Sequence, residues 1–170
     1  RTVAFWKTLL ASGARFEVPD RKAMDCLLAS HVNQFIGNDL GEIHAGEGFY
    51  DEFYIRDAAY QVQQYEEAGF LDAARKAMEF FLANQLPDGR LESQRGQLDA
   101  NGQGIWALWQ FYKITGDRDW LRSAYPTVRR AALWTVGARE KEGPFRGLLP
   151  AALADGEYLW EGKNHIVGYD

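Results

Sequence analysis

Apolar residues recur at three-to-four spacing in six stretches of the chain, the pattern of helices that each bury one face. Val3 to Ala11 is the first stripe, stopped at Ser12-Gly13. Asp20, just after Pro19, is a good cap for a second helix, which carries Ala23, Met24, Leu27, Leu28, Val32 and Phe35 and ends at Gly37. Ala58, Val62 and Tyr65 mark a third helix that stops at Gly69. Leu71, Ala74, Ala77, Met78, Phe81 and Leu82 mark a fourth, ending before Pro87-Asp88-Gly89. Ile105, Trp106, Leu108, Trp109 and Tyr112 lie on a fifth, stopped at Gly116. After Asp117-Arg118-Asp119 a sixth carries Leu121, Val128, Ala132 and Leu133, with Pro126 expected to start or kink its main part.

Paired in order, these stretches make three antiparallel hairpins, and the chain reads as all-α. Placing Gly69 on Gly116 aligns the second and third pairs at an offset of about 47 residues, a helical-hairpin repeat. Turns within a hairpin are short. The connections between hairpins, residues 37–56, 86–100 and 141–168, are long and rich in Gly, Asp, Glu and aromatics. In a stack or ring of hairpins those connections share one face, the usual place for function on a rigid scaffold.

Composition narrows the classes. With 46% hydrophobic and 25% charged residues the chain can build a core, and its net charge of −5 favours neither nucleic acid nor an anionic membrane surface as partner. No apolar run approaches the about 20 residues of a membrane span. The single cysteine, Cys26, excludes an internal disulfide framework and a cysteine-based zinc site, and suits a cytoplasmic protein. No histidine has metal-ligand spacing, and Gly46-Glu47-Gly48 lacks both a phosphate-loop lysine and a dinucleotide pattern, so no cofactor is expected. A first residue Arg1 and a last segment Gly168-Tyr169-Asp170 that leads towards another element suggest a piece of a longer protein.

Each long connection delivers a carboxylate at or near a helix start: Asp57, Asp99 and Asp170. Asp is a favoured helix cap, so each could be structural; the three together, with an arginine and aromatics on the same face, point to a site. The face aromatics are Phe49, Tyr50, Tyr54, Tyr158, Trp160 and Tyr169, rings with flat apolar area and, in most, a polar tip. Trp106, Trp109 and Trp134 fall in helical runs and are expected in the core. His165 could bond a hydroxyl, His44 is ambiguous, and His31 reads as an ordinary helix residue.

Two segments carry a resemblance. Tyr50-Asp51-Glu52-Phe53-Tyr54-Ile55-Arg56-Asp57-Ala58-Ala59-Tyr60 resembles the aromatic-x-Arg-Asp segment of the six-hairpin, (α/α)6-barrel glycosidases, the glucoamylase-like, amylo-α-1,6-glucosidase-like and trehalase-like enzymes. Asp99-Ala100-Asn101-Gly102-Gln103-Gly104-Ile105-Trp106-Ala107-Leu108-Trp109, followed by Thr115-Gly116-Asp117, resembles the next inner helix of that group. The resemblance spans roughly residues 40–170. It implies that residues 1–170 are the N-terminal half of an (α/α)6 toroid, with the remaining half of the barrel as partner and a carbohydrate, most simply an α-glucoside, as substrate. Arg56 and Asp57 would grip the terminal sugar, with Tyr54, Asp99, Gln103, Trp160 and His165 as further binding residues.

Glycoside hydrolysis needs two carboxyl groups, one protonated to serve the leaving oxygen and one ionised. The resemblance places the acid in the connection entering a fourth hairpin. Leu159-Trp160-Glu161 is similar to the glucoamylase segment and favours Glu161; other branches favour an Asp at the helix start, here Asp170; and Glu157 stands beside Tyr158 and Trp160, aromatic surroundings that could raise its pKa. Spacing does not separate the three, and no residue can be assigned as the base. Two rivals share the pattern: a toroid sugar epimerase or phosphorylase, and a helical-repeat module that binds carbohydrate or protein without turnover.

Overall fold

A computed structural model of the chain describes residues 1–46 and 48–152. Six α-helices dominate those residues: α1 (Thr2–Leu10), α2 (Arg21–Ile36), α3 (Ile55–Glu67), α4 (Leu71–Ala83), α5 (Asp99–Thr115) and α6 (Arg118–Ala138). The one sheet among them is a two-stranded antiparallel turn, β1 (Asn38–Asp39) and β2 (Glu42–Ile43), with Asn38 opposite Ile43 and Asp39 opposite Glu42.

The all-α reading therefore holds, and most helix ends fall where the sequence places them. Asp20 caps α2, its carboxylate accepting from the backbone N–H groups of Lys22 and Ala23. Gly69 and Gly116 end α3 and α5 with φ of 78° and 63°, a left-handed backbone that glycine adopts without the Cβ clash. Pro126 does not start the helix. Helix α6 starts well before it, at a cap made by Asp117, and continues through it to Ala138. Proline costs helix stability through its missing N–H, and burial of Trp120, Ala124, Ala131 and Thr135 along one face offsets that cost.

The core is shared by α3, α4, α5 and α6. Val62, Tyr65, Met78, Phe81, Leu108 and Phe111 are fully buried in it. A small residue lets the connection between α4 and α5 approach: Gly104 of α5 faces Leu91, where an added Cβ would lie 2.7 Å from Leu91 Cδ1. Asn101 welds three pieces together, accepting from the Leu91 N–H at 2.7 Å and donating to the Ala131 carbonyl at 3.0 Å and to Thr135 Oγ1 at 2.7 Å. At the opposite end, Arg75 of α4 reaches Asp117 at 2.8 Å and so ties the two hairpin turns to each other. Helices α1 and α2 pack as a hairpin against this block, Tyr65 donating to the Gln34 carbonyl at 2.8 Å.

Two tryptophan expectations need correction. Trp109 is half exposed, on the side of α5 that no described element covers. Trp134 is only partly buried, its indole N–H donating to Asp88 and its ring taking the Arg90 guanidinium at 5.5 Å. Trp106 packs against the core edge and against Tyr60.

Candidate functional site

Helices α3 and α5 lie side by side with both starts at the end of the molecule where the 37–54 and 84–98 connections run. The caps there are unusual. Tyr54 and Leu98 occupy the cap positions and neither gives a side-chain bond. Instead Ser93 of the second connection accepts from the Ile55 N–H at 2.8 Å, so one loop caps the helix of another. Asp57, in the first turn of α3, and Asp99, the first residue of α5, are not the N-caps of their helices, which removes the simplest structural account of both.

Arg56 and Asp99 are brought together: the guanidinium Nη2 donates to Asp99 Oδ2 at 2.9 Å. Asp99 is buried beneath Arg56 and receives a longer bond from Gln103 at 3.4 Å. Above this layer opens a cleft of about 300 Å³ lined by Tyr50, Tyr54, Arg56, Asp57, Gln94 and Gln97. Asp57 is exposed to it. The sequence-predicted residues thus split in two. Tyr54, Arg56 and Asp57 line the cleft; Asp99 and Gln103 form its foundation and hold Arg56 in place.

Gln94 and Gln97 were not singled out from the sequence, because a glutamine in a polar loop carries no signal of its own. The amide oxygen of Gln97, the second carboxylate oxygen of Asp99 and the amide oxygen of Gln103 are buried without a hydrogen-bond donor among the described residues. A floor with spare acceptors favours a ligand that brings hydroxyl or ammonium donors over an anion, since buried acceptors without donors are costly.

Glu157, Glu161, Asp170, Trp160 and His165 lie outside the described residues, as do Tyr158 and Tyr169. Within the described cleft Asp57 is the one carboxylate not already committed to an internal ion pair. Arg56, as a rigid fork of donors, beside an acceptor carboxylate, phenolic tips and amides can hold adjacent hydroxyls of a polyol. Among the described residues the cleft is lined by one carboxylate, Asp57, where glycoside hydrolysis needs two.

Other concavities have a different character. One of about 540 Å³ between α1 and the start of α4 is mainly apolar, with Phe5, Trp6, Phe35, Phe70 and Leu71 in its wall. Another of about 760 Å³ is an open groove along α2 that reaches His44 and Gln61. The first also carries Asp72 and Lys76 in its wall, but in neither does a lining arginine rest on a buried carboxylate as Arg56 rests on Asp99. Among the described residues no group of three His, Cys, Asp or Glu could hold a metal ion, and no helix is long and apolar enough to cross a membrane. Compared with known protein families, with curated proteins and with solved structures, the chain finds no match.

Proposed function

We propose that the Arg56 cleft binds a sugar and that the chain is the sugar-gripping half of an (α/α)6-type glycoside hydrolase domain acting on α-glucosides. The observation that carries this reading is the joining of two sequence-distant segments, Tyr54-Ile55-Arg56-Asp57 and Asp99, into one hydrogen-bonded unit under a small polar cleft with aromatic walls. Arg56 would donate to adjacent hydroxyls, Asp57 would accept from them, and Tyr50 or Tyr54 would cover the apolar face of the ring. In this reading the general acid is Glu161, Glu157 or Asp170, the base and the other half of the toroid come from elsewhere in a longer protein, and the setting is cytoplasmic. A non-catalytic sugar-binding module would use the same grip, and the two readings part over those three carboxyl groups.

Isothermal titration of the 170-residue chain with glucose, maltose and isomaltose tests the grip. At least one should bind, and Arg56→Ala and Asp57→Asn should each weaken it by about tenfold or more, the cost of losing a charge-assisted hydrogen bond. Hydrolysis by the chain alone is expected to be undetectable. Absence of binding to all three sugars, or binding indifferent to both substitutions, would overturn the proposal.

A further inference from the structure

The wall of the cleft is formed by a loop that is itself held by a histidine between two carboxylates. His44, directly after β2, places Nδ1 2.7 Å from Asp51 Oδ1 and Nε2 3.4 Å from Glu42 Oε1. Its backbone is fastened on both sides: its N–H donates to the Gly37 carbonyl at 2.8 Å, its carbonyl accepts from Gln61 Nε2 at 3.2 Å, and it bridges to Phe53 in antiparallel pairing. The imidazole thus stands on a fastened backbone and is 14% exposed, whereas the Asp51 side chain is 59% exposed. Asp51 sits between Tyr50 and Tyr54, the two aromatic walls of the cleft, whose rings meet edge to face at 6.1 Å.

We propose that His44 is a positioning residue of the cleft: as an imidazolium it holds Asp51, and with it the loop that carries Tyr50 and Tyr54, more firmly than it does as a neutral ring. A cationic donor to carboxylate is about twice as strong as a neutral one, and Glu42 changes from an attractive partner to a lone carboxylate beside a neutral ring. Among the described residues the charged groups facing His44 are these two carboxylates; α2 and α3 bring the neutral Gln34 and Gln61, and the thiol of Cys26 lines the same groove. The Asp51 hydrogen bond first, and Glu42 after it, raise the pKa of His44 above its ordinary 6.5 against the opposing effect of burial. A raised folded-state pKa means that the clamp is strongest in mild acid and weakens as pH rises through that value.

The inference deepens the sugar-binding reading, and its first test needs no sugar. Proton NMR of the full chain between about pH 5 and 9 follows His44 alongside the rings of Tyr50 and Tyr54. The tyrosine signals should shift with the His44 midpoint, lose that shift in His44→Gln, and move to lower pH in Asp51→Asn. Tyrosine signals that ignore the His44 titration would overturn the clamp. If a sugar binds, its affinity should fall by about threefold from below to above that midpoint and be flat in His44→Gln, the direction set by the stronger charged bond. Tyrosines that track His44 in a chain that binds none of the sugars would leave the clamp standing and remove the sugar reading alone.

Discussion

Helices α1 and α2 carry apolar stripes as legible as those of α3 to α6, yet they bury almost nothing. No residue of α1 is fully buried and only His31 of α2 is, with Val3 and Phe5 left more than half exposed. Helix α3 buries Ile55, Ala58, Ala59, Val62, Tyr65 and Glu66, and α5 buries residues on nearly every turn. The difference lies in neighbours. A helix packed against one partner covers one narrow stripe, whereas α5 touches α3, α4 and α6 at once. The two regions also bury their titratable groups differently. His31 is packed between Phe16 and Phe70 and burial lowers its pKa, while Glu66 is buried in the four-helix block and burial, with Glu67 second, raises its pKa to about 7.

The largest effect expected from this contrast is in the core. Phe111→Ala should destabilise the chain by about 3–5 kcal/mol in urea unfolding, while Phe5→Ala should stay within about 0.5 kcal/mol. Equal costs at the two sites would mean that α1 is as tightly packed as α5.

Next comes Glu66. Between its ordinary 4.5 and its folded value of about 7 the native state holds a proton that the unfolded chain has lost, so stability falls as pH rises through that window. Glu66→Gln should flatten this slope in thermal melts and should stabilise the chain above pH 7 by on the order of 2–3 kcal/mol. A wild-type melting temperature that is level across the window would place Glu66 in contact with water or a cation.

The smallest effect is at a helix start. Asp20→Ala removes the cap of α2 and should cost about 1 kcal/mol, without changing the chemical shifts of the Arg56 cleft. A perturbed cleft would show that the N-terminal hairpin and the site are coupled more closely than the Tyr65 and Gln34 contact suggests.

Much of the fold was legible because its signals are local. Asp20 before an apolar stripe, and Gly69 and Gly116 at left-handed turns, are decided by a few bonds within one turn of chain. So too was the place of Asp57 and Asp99 in the first turns of two neighbouring helices. Pro126 misled as a helix start because the burial that carries α6 across it comes from residues on both sides and from α5. Trp109 misled because spacing tells that residues share a face but not whether another element covers it.

What the sequence determined by itself, then, is the set of helices, their pairing into hairpins and the end of the molecule where the long connections run. Only tertiary packing decided that Asp99 lies under Arg56 rather than beside it, that Ser93 caps α3, that Gln97 enters the cleft and that His44 reaches Asp51. Helical periodicity is an interaction across three or four residues, and one chain carries it in plain view. Arg56 and Asp99 meet across 43 positions, and which side chain of each helix start turns inward depends on the rotation of α3 against α5, which every contact in the core sets together.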